Sequence, residues 1–85
     1  MDGPIRLTDA AVERMKPPAS GRREVFDAVV PGLSVRITST GVRSWALRYR
    51  IQGESRQVRE TIGRVGVVSL TDARERARAV LALAA

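Results

Sequence analysis

Residues 44–51, SWALRYRI, set large apolar side chains at every second position and put Arg48 and Arg50 into the gaps. In an extended chain successive side chains point to opposite faces, so Trp45, Leu47, Tyr49 and Ile51 share one face and Ser44, Ala46, Arg48 and Arg50 the other. One face requires a core; the other requires water or a negatively charged partner. LSVRIT, residues 33–38, repeats the pattern, with Leu33, Val35 and Ile37 inward and Ser34, Arg36 and Thr38 outward. STGVR between them supplies a turn at Gly41, and the two segments are predicted to pair as a hairpin.

The flanking segments extend this ribbon. After a turn at QGES, residues 56–62, RQVRETI, return as a further strand with Val58 and Ile62 on one face and Gln57, Arg59 and Thr61 on the other. Glu60 then falls on the apolar side, which calls for an edge position, an arginine partner or a bulge, because an unpaired buried carboxylate is costly. Before the Pro31-Gly32 turn, EVFDA reads as a short first strand with Val25 as its core candidate. Phe26 would lie opposite Val25 unless a bulge shifts the register, and the sequence leaves both registers open. Arg22 and Arg23 read as a basic loop ahead of it.

Two helices are predicted, the C-terminal one covering the apolar side. Thr8 is an N-cap, Asp9 places negative charge on the first turn, and Leu7 and Val12 stand at the positions of a hydrophobic staple, so a short helix runs from Asp9 to about Met15. Pro17 biases Lys16 out of helical geometry and stops it. Near the C-terminus Ser69 caps a longer helix with Asp72 at N3, and Leu70, Ala73, Ala77, Val80, Leu81 and Ala84 form its apolar stripe. The expected architecture is α+β: a three-stranded antiparallel sheet packed on one face by the C-terminal helix, with a short N-terminal helix and a short extra strand at EVFDA.

Eighty-five residues make one small domain, spanning residues 1–85. Cysteine and histidine are both absent, which removes disulfides, the usual zinc ligands and the commonest general base. Enzymes built on those groups are strongly disfavoured, and Tyr49, facing inward, reads as structural rather than as a nucleophile. No metal, cofactor or small-molecule substrate is expected. No apolar run approaches a membrane span, and the N-terminus lacks the pattern of a signal peptide, so a soluble intracellular protein is expected.

The net charge of +6 is unevenly spread. Residues 1–35 balance five bases against five acids, whereas residues 36–64 hold seven arginines against Glu54 and Glu60. Clustered cations suit a polyanion, because each phosphate neutralised releases counterions. An ordinary solvated basic face would carry the same charge, and antiparallel sheets often expose one polar face with no partner. The outward face gathers Ser34, Arg36, Thr38, Ser44, Ala46, Arg48, Arg50, Gln57, Arg59 and Thr61. Strands enter the major groove, arginine there reads guanine or grips phosphate, and glutamine reads adenine. Trp45 and Tyr49 alternate with Leu47 and Ile51, which makes them core residues rather than a stacking platform for RNA or single strands.

Taken in order, LTDAAVERMKPP, FDAVVPGLSVRITSTGVRSWALRYRI and TIGRVGVVSLTDARERA resemble the N-terminal arm-type DNA-binding domain of prophage and genomic-island integrases of the tyrosine recombinase family, in its satellite-phage-like branch. The resemblance runs from about Leu7 to Leu83. It implies a three-stranded sheet backed by a C-terminal helix, the sheet face entering the major groove of double-stranded DNA at arm-type sites that flank an attachment core. Carried onto this sequence, the contacts are Arg36, Arg48, Arg50, Gln57 and Arg59, with Ser34, Ser44 and Thr61 in secondary roles. It also implies a non-catalytic fragment of a longer integrase, working in the bacterial cytoplasm on the nucleoid. Other integrase domains or protomers and accessory DNA-bending proteins are its further expected partners. Glu60 departs from the family pattern, which favours an apolar or neutral residue there. The competing expectation is a protein interaction or dimerisation module of the integrase.

Overall fold

The computed structural model describes residues 3–85. Helix α1 (Asp9–Arg14) precedes strands β1 (Arg22–Phe26), β2 (Leu33–Thr38), β3 (Arg43–Arg50) and β4 (Gln57–Arg64), and helix α2 (Leu70–Ala84) follows. The strands form one antiparallel meander in the order β1-β2-β3-β4. The expectation of three strands with a short addition is therefore corrected to four. β1 begins at Arg22, inside the stretch read as a basic loop, and pairs along its whole length with β2, from Arg22↔Thr38 to Phe26↔Ser34. The largely buried β2 leaves a row of backbone donors and acceptors beside β1, and pairing them outweighs the weak local preference of an Arg-Arg start.

Tight connections hold the meander. Gly32 adopts φ +88°, and a Cβ there would land on the Arg48 carbonyl, so the chain passes against β3 where only glycine fits. The Arg48 N–H donates to the Gly32 carbonyl at 2.9 Å across that approach.

Both helices lie on the same face. Leu33, Val35, Ile37, Trp45 and Leu47 form a buried layer against Leu7, Val12 and Met15 from the N-terminal side and Leu70, Ala73 and Ala77 from α2. The expected stripe on α2 is the buried one, with Val80 and Leu81 half-covered. Alanine at 73 and 77 lets the helix come close, and Trp45 fills the space beside it while its Nε1–H donates to the Val68 carbonyl at 2.7 Å. The caps form as read: Thr8 Oγ1 accepts from Ala11 N–H, and Ser69 Oγ accepts from Asp72 N–H, both at 3.1 Å. At the far end of α2 the Gln52 N–H donates to the Ala84 carbonyl, tying the β3–β4 turn to the helix terminus.

One inward expectation changes at the margins, and the position of Glu60 is resolved in favour of the edge. Ile51 lies beyond the end of β3 and is exposed. Glu60 is exposed on the edge strand opposite Leu47, so its carboxylate stays in water. A register shift places Trp45 opposite Gly63 and Ala46 opposite Thr61, leaving Ile62 as an extra residue turned onto the core. The bulge keeps Arg64 on the same side as Ser44 although the spacing of β4 alone would send it inward.

Candidate nucleic-acid interface

The pairing registers set the uncovered face out in rows across the sheet. One row runs Glu24, Arg36, Ser44, Arg64; the next Phe26, Ser34, Ala46, Thr61; then Arg48 beside Arg59, and Arg50 beside Gln57. All eight residues singled out from the sequence fall on this side, opposite both helices. Arg50, Gln57, Arg59 and Thr61 are exposed, and Ser44 is half-covered. Arg43, counted with the basic third of the chain, turns the other way: its Nη2 donates to the Met15 carbonyl at 2.6 Å and closes the end of α1.

The face is more internally organised than a row of free guanidinium groups. Glu24 reaches from β1 over the two central strands. Its Oε2 accepts from Ser34 Oγ at 2.7 Å and Arg36 Nε at 3.1 Å, and its Oε1 faces Arg48 Nη2 at 3.4 Å and Arg59 Nη2 at 3.7 Å. Ser34 is thereby only 1 % exposed and Ala46 2 %. Ser34 lies at the base of the face, its hydroxyl donating to Glu24 and closed to solvent. The Arg48 guanidinium also sits 4.9 Å from the centroid of the Phe26 ring, a cation–π arrangement that settles the open register by placing Phe26 among the arginines. Burial pushes the Glu24 carboxyl up, but the Ser34 hydroxyl and the Arg36 and Arg59 charges pull it further down, below its ordinary value.

A second carboxylate fixes the frame that presents this face. Asp27, just past β1, is buried and accepts from Leu7 N–H at 3.1 Å and Val30 N–H at 3.2 Å. Arg74 of α2 donates to it through Nε at 3.0 Å and Nη2 at 3.1 Å, and to the Leu7 carbonyl at 2.9 Å. Arg74 thereby pins α2, the end of β1 and the N-terminal segment together. Burial raises the Asp27 carboxyl, while Arg74 and the backbone donors lower it more, so it too lies below its ordinary value.

Neither Glu24 nor Asp27 stands out in the sequence as a functional residue. The available signal for Glu24 was its parity with Phe26: once Val25 faces the core, both neighbours join the arginines. No group of three or more His, Cys, Asp or Glu suited to a metal ion occurs among the described residues, and no helix there is long and apolar enough to cross a membrane.

The sequence matches the family model described as Arm DNA-binding domain over residues 7–85. The chain belongs to that family. Arm DNA-binding domains are non-catalytic modules that bind DNA in integrase-type proteins, so DNA is the partner of this domain. No curated protein matches the sequence significantly. In this Arm DNA-binding domain the two helices and the buried apolar layer occupy one side of the sheet, and the arginine rows occupy the other.

Proposed function

We propose that this Arm DNA-binding domain inserts its sheet face into the major groove of double-stranded DNA at arm-type sites flanking a phage attachment core. It would thereby support site-specific integration and excision by a tyrosine recombinase of a prophage or genomic island, whose strand cutting resides in separate domains. Other protomers and DNA-bending proteins complete the assembly. The observation that carries the reading is the register: Arg36, Arg48, Arg50, Gln57, Arg59, Ser44 and Thr61 converge on the one sheet face that no helix covers. Strands spaced about 4.8 Å apart make β2 to β4 about 10 Å wide, which suits a major groove about 12 Å across. Arg50 and Gln57, side by side and both exposed, are the pair best placed to read base edges.

The test is binding of the purified domain to duplexes carrying attachment flanks, read by fluorescence anisotropy over a salt series. Affinity is expected to fall with a log–log slope of about −0.9 per phosphate contacted. Replacing Arg50 and Gln57 together by Ala should weaken binding about tenfold or more with an unchanged melting temperature, since each good base contact contributes about 1–3 kcal/mol of discrimination. Unchanged affinity in that variant, or a stable dimer that buries the arginine face, overturns the proposal.

A further inference from the structure

We propose that Glu24 is a built-in counter-anion that holds Arg48 and Arg59 flat against the sheet until DNA takes its place, and that it thereby sets how well the domain rejects DNA other than its own site. The inference rests on the sheet-face reading above and assigns a positioning residue within it.

The two oxygens of Glu24 do different work. Oε2 is held by Ser34 and by Arg36, whose side chain is only 14 % exposed, through contacts of 2.7 and 3.1 Å. Oε1 faces Arg48 and Arg59 at 3.4 and 3.7 Å, and those side chains are 31 % and 40 % exposed. Long, wet ion pairs are weak and exchange readily, whereas the short, covered ones persist. The carboxylate is anchored on one side and releasable on the other.

The strand register explains why such an anion belongs there. Arg48 and Arg59 are direct cross-strand partners, and like charges placed opposite each other repel. Both side chains run over Ser34 and Ala46, residues small enough to let guanidinium groups lie down and reach the common carboxylate. Three guanidinium groups share that one carboxylate, and Arg36 Nη2 is shut away from water without an acceptor among the described residues. The cluster is short of negative charge and short of acceptors, which is the condition for taking up a further anion.

DNA approaching this face must therefore compete with Glu24. A duplex that offers only phosphates gains two cations but brings its charge against a carboxylate. A duplex that places guanine edges or well-positioned phosphates within reach of Arg48 and Arg59 recovers that loss through charge-assisted contacts. Specificity is a difference of affinities, and a fixed repulsive group penalises the wrong partner more than the right one.

The experiment compares the wild-type chain with Glu24→Gln on two probes: a duplex selected by the wild-type domain from a randomised pool, and a fixed duplex of unrelated sequence. The variant should bind the unrelated duplex about tenfold tighter and the selected one no more than about threefold tighter, so that the specificity ratio falls. A ratio that stays constant overturns the proposal, as does equal weakening on both probes, the behaviour of a purely structural carboxylate. Nitrogen-15 spectra of the arginine side chains in the wild-type chain provide a reading independent of any variant's folding. On adding the selected duplex, the Arg48 and Arg59 Nε–Hε signals should move while Arg36 stays; movement of all three or of none overturns the release. Failure of the sheet-face reading itself shows separately, as indifference of wild-type affinity to the Arg50 and Gln57 replacements.

Discussion

Asp27 and Glu24 stand three residues apart on the same edge of the sheet, one paired with a single arginine and the other with three, and they belong to different kinds of site. Asp27 is buried on the helix side, and its contacts, all from this chain, fall between 3.0 and 3.2 Å. Glu24 lies on the open side with contacts spread from 2.7 to 3.7 Å and a partly exposed side chain. Every donor around Asp27 is fixed by backbone or by packing of α2, so removing the charge leaves those groups stranded. Two of the donors around Glu24 sit on long side chains that can swing into water. Burial with rigid partners makes a charge structural; partial exposure with mobile partners makes it exchangeable.

The hardest way to break this contrast is at Asp27. Asp27→Asn keeps the shape but turns an amide NH₂ toward an Arg74 N–H together with either the Leu7 or the Val30 N–H, and it leaves the Arg74 guanidinium covered without its counter-ion. Breaking a buried pair in this way costs about 3–5 kcal/mol, a large share of what a domain of this size possesses. Urea unfolding should show the variant largely unfolded or with a midpoint far below wild type. A loss as small as that of a surface ion pair would place Asp27 in the same class as Glu24.

What the sequence disclosed follows the same division between local and distant. The Thr8 and Ser69 caps, the Leu7–Val12 staple, the α2 stripe and the alternation of β2 and β3 are all decided within a few residues of chain, and each appears in the fold. β1 escaped full recognition because its five residues begin with two arginines and earn their place by pairing with β2. Arg74 and Asp27 are separated by 47 positions, and the arms of Glu24 span 10 to 35, so no periodicity announces either. The face itself was legible from parity alone. That its arginines lie down on a common carboxylate, and that Ser34 is sealed beneath them, depends on the order of strands across the sheet.

Acid separates the two carboxylates by degree. Both are held below their ordinary values in the folded chain, so each contributes stability that is complete above the unfolded-state pKa of about 4 and is lost as pH falls through the lower, folded value. Unfolding free energy measured by denaturant titration should therefore decline below about pH 5. In a background stable enough to measure, Asp27→Asn should remove more of that decline than Glu24→Gln, because the Arg74 contacts are shorter and drier than those of Arg48 and Arg59. Equal flattening by the two variants would erase the distinction between them.

The smallest effect is the most discriminating. Glu24→Gln retains a carbonyl that can still accept from Ser34 and Arg36, while its amide displaces two guanidinium groups that have water to move into. Weak, half-exposed pairs contribute little, and the repulsion between Arg48 and Arg59 relaxes once both side chains stand away from the sheet. The expected loss is about 1 kcal/mol or less, a shift of a few degrees in a thermal melt. A loss comparable to that at Asp27 would mean that the arginines cannot leave the carboxylate. The face would then be a sealed ion cluster, and DNA would have to be met by Arg50, Gln57 and Thr61 alone.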